Sequence, residues 1–194
     1  MELARHEAAS DEFTGDWSFV RSYRGKTALV SLLAQMTNPR HIVEVGTFTG
    51  YTTLAVSLAC PEALVQTFDT SATFIEFARK QWDAAYAANI RAYIGDAKVT
   101  LPKFAAPSID FAYIDANKED YLTYYELVMV RLRPGGVVVL DDTLWFGDVL
   151  LEHCVTPDGP HFQALNARIR DDARVEAVVL PAFVNGLTIC RRNS

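Results

Sequence analysis

Between residues 41 and 190, short and almost uniformly apolar runs, most of them ending in a glycine or an acid, alternate with stretches of helical spacing. Residues 41–45 form the first such run and stop at Gly46. Residues 63–68 end at Asp69, 90–94 at Gly95, 109–114 at Asp115, and 137–140 at Asp141-Asp142. Helical patterns fill the gaps at 52–60, 74–88 and 121–132, the first closed by Pro61 and the last by Pro134-Gly135-Gly136. A helix near 162–169 and two further strands, 175–180 and 187–190, complete the order. Strands that are apolar throughout, rather than alternating, are covered on both faces. The pattern predicts an α/β fold: a Rossmann-like, mostly parallel sheet of seven strands with helices on both faces. At 194 residues the chain is expected to form one domain, with an N-terminal helical segment over 1–39 and a core over 40–191.

Charge and composition narrow the class of function. Half the residues are apolar and 22% are charged, the balance of a folded soluble protein. No apolar run approaches the ~20 residues of a membrane helix, so no membrane partner is expected. The first residues, with Glu2, His6, Glu7, Asp11 and Glu12, lack a signal peptide's apolar core. Cys60, Cys154 and Cys190 share no metal-type spacing, and a reducing cytoplasm is the simplest reading. A net charge of −6 and a pI near 5.2 argue against a broad nucleic-acid surface. Arg21, Arg24, Lys26 and Arg191-Arg192 leave room for a local basic patch.

In a parallel sheet, ligands bind beyond the carboxyl ends of the strands. Asp69, Asp115, Asp141 and Asp142 all fall there. One acid after a strand is an ordinary turn or cap residue, but four on one edge favour a site. The first turn, Glu44-Val45-Gly46-Thr47-Phe48-Thr49-Gly50, places glycines where backbone can approach a ligand closely, ahead of a helix N-terminus. Two glycines alone would read as an ordinary strand–turn–helix link. Asp69, nineteen residues after Gly50, matches an acid bonding a ribose diol. The full G-x-G-x-x-G cradle for a pyrophosphate is absent, which counts against a nicotinamide or flavin. S-adenosylmethionine, with a ribose and no phosphate, fits.

Residues 43–54, Val-Glu-Val-Gly-Thr-Phe-Thr-Gly-Tyr-Thr-Thr-Leu, resemble the first motif of the cation-dependent O-methyltransferases. That family includes catechol and caffeoyl-CoA O-methyltransferases and many small bacterial relatives. The resemblance runs through Ile114-Asp115-Ala116-Asn117-Lys118, Leu132-Arg133-Pro134-Gly135-Gly136, Leu140-Asp141-Asp142-Thr143-Leu144-Trp145-Phe146-Gly147 and Asn185-Gly186-Leu187-Thr188. The first motif is common to many methyltransferases; the later two aspartate segments, in this order, are specific.

The resemblance implies a class I methyltransferase sheet and a role for each matching residue. Glu44, Gly46, Thr47, Phe48 and Gly50 would border the cofactor, Thr52 would bond its carboxylate, and Asp69 would hold the ribose. Gly95-Asp96-Ala97 would line the adenine. Asp115, Asp141 and Asp142 would hold a divalent cation, Mg²⁺ first, with Mn²⁺ or Ca²⁺ as alternatives. Lys118, beside Asp115, would be the catalytic base. Such a cation can ligate two neighbouring substrate oxygens, lower the pKa of one and fix it in line with the methyl group. Bland readings stand beside these: Asp115 as a helix cap, Asp141 and Asp142 as turn residues, Lys118 as a surface lysine. A lysine in a helix's first turn opposes the helix dipole, however, which favours a function for it.

Two features depart from the family. The third ligand is usually Asn, where this chain has Asp142, and the segment before the first strand is short. A small hydroxylated, catechol-like aromatic is the expected acceptor, and a homodimer the expected assembly. The alternatives are a hydroxylated uridine in tRNA and a cofactor-binding protein without catalysis; the intact Asp115, Lys118 and Asp141 speak against the last.

Overall fold

A computed structural model describes residues 1–16, 22–106 and 108–194. Two helices, α1 (Glu2–Thr14) and α2 (Arg24–Met36), precede the sheet. There follow β1 (His41–Val45), α3 (Tyr51–Ala59), β2 (Leu64–Asp69), α4 (Ala72–Ala84), β3 (Ile90–Ile94), the single turn α5 (Ala97–Thr100) and β4 (Ile109–Ile114). The chain ends with α6 (Tyr121–Arg131), β5 (Leu132–Asp141), α7 (Gly159–Arg170), β6 (Val175–Leu180) and β7 (Leu187–Arg192). The seven strands lie in the order β3-β2-β1-β4-β5-β7-β6, parallel from β3 to β5, with β7 antiparallel to both β5 and β6. This is the doubly wound sheet that the continuous apolar strands predict. The order reverses between β1 and β4, where such sheets open a crevice at their carboxyl edge. No helix among the described residues is long and apolar enough to cross a membrane.

The period of two in each strand decides what faces what. Val43, Val45, Ala112, Ile114, Val138 and Leu140 join the core under α6 and α7. Ile42, Phe111, Tyr113 and Val139 face the other way, packed with Val30 and Ala34 of α2 and Val56 of α3. The same alternation puts Glu44, Asp141 and, one residue past β4, Asp115 on the α2–α3 side. The functional edge is thereby set by the same periodicity that builds the core.

Most element boundaries fall within a few residues of the sequence expectation, and the larger departures are at α4, α5 and β5. Helix α4 begins at Ala72, not 74, because Ser71 Oγ accepts the Phe74 N–H at 3.3 Å and caps it, and it ends at Ala84, just before Tyr86 turns to a φ of 56°. The one-turn α5 escapes any periodic signal. Strand β5 starts at Leu132, five residues before the expected 137. Ile109 pairs with Leu132 and Phe111 with Val137, so Arg133-Pro134-Gly135-Gly136 bulges within the strand instead of preceding it. The bulge is held by Arg133 Nε, 2.5 Å from Asp110 Oδ1.

Glu44 is the one acid within β1, and it is 4% exposed. Its Oε2 accepts hydrogen bonds from the hydroxyls of Thr53 and, at 2.6 Å, Thr67. Thr67 Oγ1 in turn lies 2.6 Å from Thr47 Oγ1. Burial pushes the Glu44 carboxyl up to about 8, against the two threonine bonds that lower it. A carboxyl raised in the folded state stabilises the fold most below its unfolded pKa, and that contribution is lost as pH rises through the folded value. Wild-type protein should therefore lose stability between pH 5 and pH 9, by on the order of 3 kcal/mol from Glu44. Glu44→Gln should flatten that part of the curve, seen as a Tm difference between the two proteins that shrinks or reverses with rising pH. Parallel curves across this range would show that Glu44 is ionised in the fold.

Candidate active site

The carboxyl edge of β1, β2 and β4 carries a cleft in two joined parts. One part is lined by Glu44, Thr47, Thr49, Thr52 and Tyr113; the other by Phe68, Asp69, Gly95, Ala97 and Tyr124. Gly46, Phe48 and Asp115 belong to both. Gly46 has a φ of +99°, and a Cβ there would stand 1.8 Å from the Asp115 carbonyl oxygen, so only glycine lets the loop pass. Gly50 (φ +77°) starts α3, and a Cβ there would meet the Trp82 ring at 2.6 Å. Asp69 fixes the loop from β2. Its Oδ2 accepts from the N–H groups of Thr47 (3.1 Å) and Phe48 (2.8 Å), and its Oδ1 from Ser71 N at 2.8 Å. Helix α1 closes the loop from outside through Ser10 Oγ to Thr49 Oγ1 at 2.7 Å and His6 Nε2, 2.7 Å from the Thr49 carbonyl.

The cleft adjoins a cluster of three carboxylates and two ammonium groups. Lys118, just beyond β4, donates to Asp142 Oδ2 at 2.7 Å, Asp115 Oδ1 at 3.0 Å and Tyr121 Oη at 3.1 Å. It also sits 5.1 Å from the Tyr121 ring and 5.8 Å from the Trp145 ring. Behind them, Asp141 is 1% exposed. Its Oδ2 accepts from Lys26 of α2 and, at 2.6 Å, from Tyr113 Oη; its Oδ1 accepts the Asp142 N–H at 2.9 Å. Asp142, at a φ of 59°, also accepts from Asn185 Nδ2 at 3.1 Å. Trp145 is stacked on Phe162 with centroids 5.2 Å apart, and its Nε1–H donates to Thr156 Oγ1 at 2.9 Å.

Burial and charge pull these groups apart. Burial opposes the charged form of Lys118, yet Asp115, Tyr121 and Asp142 hold it well above an ordinary lysine. Burial likewise works against Lys26, and Asp141, Asp115 and Asp142 outweigh it, so its pKa also rises. Asp115 is desolvated, but Lys118 and Lys26 carry it below the usual carboxylate range. Asp141, pushed up first by burial and then by Asp115 and Asp142, reaches about 7.

Most of the residues singled out in the sequence meet at this edge, with four revisions. Asp96 does not line the cleft: its Oδ1 accepts from Lys98 N at 2.8 Å, capping α5, while Gly95 and Ala97 do line it. Lys118 was expected to have a lowered pKa as a base; the acids around it instead hold it above an ordinary lysine, against the opposing effect of burial. Among the described residues the basic patch does not assemble. Arg24 pairs with Glu7, Lys26 is buried, and Arg191 pairs across from Val137 at the far end of β5 from Asp141; Arg21 lies outside the described residues.

The fourth revision concerns the cation expected on Asp115, Asp141 and Asp142. No group of three or more His, Cys, Asp or Glu among the described residues is arranged to hold a metal ion. The acids stand together, but Lys26 and Lys118 are bonded to the oxygens a metal would need. Two unit charges about 4 Å apart at an effective dielectric of ~20 interact by roughly 4 kcal/mol, and a divalent ion would be repelled twice as strongly. The donor set does not fit a resident divalent cation.

Lys26 and Tyr113 were missed. Tyr113 was hidden inside an apolar strand. Lys26 carried the signal used for Lys118, a cation in a helix's first turn, and it continues the stripe of Val30 and Ala34 at intervals of four, all three buried.

A family model described as O-methyltransferase matches residues 7–193. Tricin synthase 1 of Oryza sativa subsp. japonica is 34% identical over 196 residues, covering 91% of this chain and 76% of that protein. Caffeoyl-CoA O-methyltransferase of Stellaria longipes is 31% identical over 182 residues, covering 84% of this chain and 73% of that protein. Among solved structures, the O-methyltransferase TomG of Streptomyces achromogenes, in complex with S-adenosylmethionine, superposes with a TM-score of 0.90 at 25% identity. That match covers 100% of this chain and 90% of TomG. The chain belongs to the O-methyltransferase family, and within it to the caffeoyl-CoA O-methyltransferase-like, S-adenosylmethionine-dependent enzymes.

Proposed function

We propose that the protein methylates a hydroxyl of a small, catechol-like aromatic. The observation that carries this reading is the position of Asp115. It lines both parts of the cofactor cleft, and its carboxylate is bonded to Lys118. The group that would face the methyl donor and the group that would face the acceptor are thus neighbours. The rings of Trp145 and Tyr121 beside Lys118 offer an aromatic acceptor an apolar wall. The caffeoyl-CoA O-methyltransferase among the relatives is itself named for an aromatic acceptor.

S-Adenosylmethionine supplies a methyl group on a positive sulfur; the new O–C bond forms as the C–S bond breaks, leaving a neutral thioether. The chain's residues do the rest. Phe48, Gly46 and Asp69 hold the donor in the cleft. The acceptor's proton passes to the carboxylate of Asp142, whose Oδ2 is held by Lys118 and whose Oδ1 is held by Asn185. Lys118, fully protonated, faces the oxygen as negative charge develops and stabilises it by charge. A cofactor-binding protein without catalysis would have no use for that constellation. The dispersed arginines support a small acceptor over tRNA. A cytoplasmic setting is supported by three free thiols. A homodimer is supported by Leu32 and Met36, which stand 53% and 75% exposed on α2.

The direct test is transfer of labelled methyl to a panel of catechols and, separately, to bulk tRNA. Label is expected in a catechol; label in tRNA alone would overturn the acceptor reading. Asp69→Ala should weaken binding of S-adenosylhomocysteine by about 1–3 kcal/mol in calorimetry. Undiminished affinity would take Asp69 out of the cofactor site. Lys118→Ala should lower kcat by roughly 10²-fold with little change in cofactor affinity, and Lys118→Arg, which keeps the charge, should restore part of it. Equal loss in both variants would mean that Lys118 positions its neighbours and contributes no charge to the transition state.

A further inference from the structure

We propose that the ammonium groups of Lys26 and Lys118 together take the place of a divalent cation among Asp115, Asp141 and Asp142, so that the protein binds and uses no metal there. The part concerning the reaction rests on the methyl-transfer reading above; the part concerning metal does not.

The donors are already assigned. Both oxygens of Asp141 accept hydrogen bonds, Oδ2 from Lys26 and Tyr113 and Oδ1 from the Asp142 N–H. Both oxygens of Asp142 accept, Oδ2 from Lys118 and Oδ1 from Asn185. Asp115 Oδ1 accepts from Lys118, and its Oδ2 lies 3.5 Å from Tyr113 Oη. A cation ligand must offer lone pairs, and here those lone pairs face N–H and O–H groups.

The position of Lys26 is costly unless the charge has a task. Its side chain is 7% exposed, and lysines are almost never so buried without a partner. It sits in the first turn of α2, against the helix dipole. Helix α2 packs through Val30 and Ala34 onto the sheet, so the stem of Lys26 is directed at Asp141 by the same stripe that builds the core. Three carboxylates and two ammonium groups sum to −1, which the chain reaches with no metal. Asp142, where the family usually places an amide, supplies the charge that makes room for a second ammonium.

Two consequences separate this from a metal site. Acceptor activation comes from a fixed cation on Lys118, and turnover persists in chelator. Removal of Lys26 leaves Asp141 without its counter-ion and opens a place for one. The test uses the full chain, stripped with chelator, in Mn²⁺ titrations followed by calorimetry and by the spin signal of free Mn²⁺, with S-adenosylhomocysteine binding measured on each protein. Wild type should show no Mn²⁺ site tighter than about 1 mM. Lys26→Gln and Lys26→Ala should bind Mn²⁺ at least about tenfold more tightly than wild type. Micromolar Mn²⁺ binding by wild type would overturn the proposal, whatever the protein methylates. So would folded, S-adenosylhomocysteine-binding Lys26 variants that gain no Mn²⁺ affinity. Absence of S-adenosylhomocysteine binding by wild type would instead sink the methyl-transfer reading, while the Mn²⁺ titration would still decide this one.

Discussion

The site depends on one close approach of backbone to backbone, at the point where the strand order reverses. Gly46, leaving β1, passes the carbonyl of Asp115, leaving β4, with no room for even a Cβ between them. Its N–H donates to the Phe68 carbonyl at 2.9 Å, and the Asp115 N–H donates to the Val45 carbonyl at 2.8 Å. Three strand ends are tied together in this way. The loop over them is shaped by backbone donors to Asp69 and by the bonds from α1 to Thr49. Because the tie runs through main chain, the glycine loop after β1 and the backbone of Asp115 keep a fixed spacing. Methyl transfer needs that fixed spacing, since in-line geometry is the larger part of catalysis for a simple displacement.

Charge organises the second half of the site, in two layers. Asp141 and Lys26 form the inner layer, nearly out of contact with solvent. Lys118, Asp115 and Asp142 form the outer layer, each 16–22% exposed. A buried pair of this kind is weak as a source of stability but costly to break, because one partner removed leaves an uncompensated charge in a poor dielectric. The inner pair is therefore best seen as an anchor. It fixes Asp141, whose Oδ1 holds the Asp142 backbone, and Asp142 is held in the left-handed region at a φ of 59°. That backbone turns the Asp142 side chain towards Lys118 and away from the core. The rings of Phe162, Tyr121 and Trp145 pack around the outer layer; Phe162 and Tyr121 are fully buried and Trp145 is partly buried.

Architecture and the carboxyl edge of the sheet were legible in the sequence because they rest on local chemistry. Apolar runs ending in acids or glycines named the strands and their carboxyl ends; Gly46 and Gly50 named the tight turn after β1, and Asp69 the acid that its backbone donors meet. Strand β5 and helix α4 were misplaced at their starts for local reasons of another kind. A Pro-Gly-Gly bulge held by Arg133 reads as a break, and the Ser71 cap begins the helix ahead of its apolar stripe.

The sequence alone thus determined the sheet, its covered faces, the tight glycine turn after β1, and the gathering of Asp115, Asp141 and Asp142 at one edge. Tertiary structure decided what those acids meet. Asp141, Tyr113 and Lys26 come together only because β4 and β5 are neighbours and α2 packs across the same face, bringing residues 26 and 141 into contact. Helical spacing could show that Lys26 lies on a buried stripe, but not which group waits beneath it. The same limit applies to protonation. Lys118 next to Asp115 in sequence reads equally well as a base or as a fixed cation. Only the arrival of Asp142 from the end of β5, its charge acting with Asp115 and Tyr121 against the opposing effect of burial, favours the ammonium form.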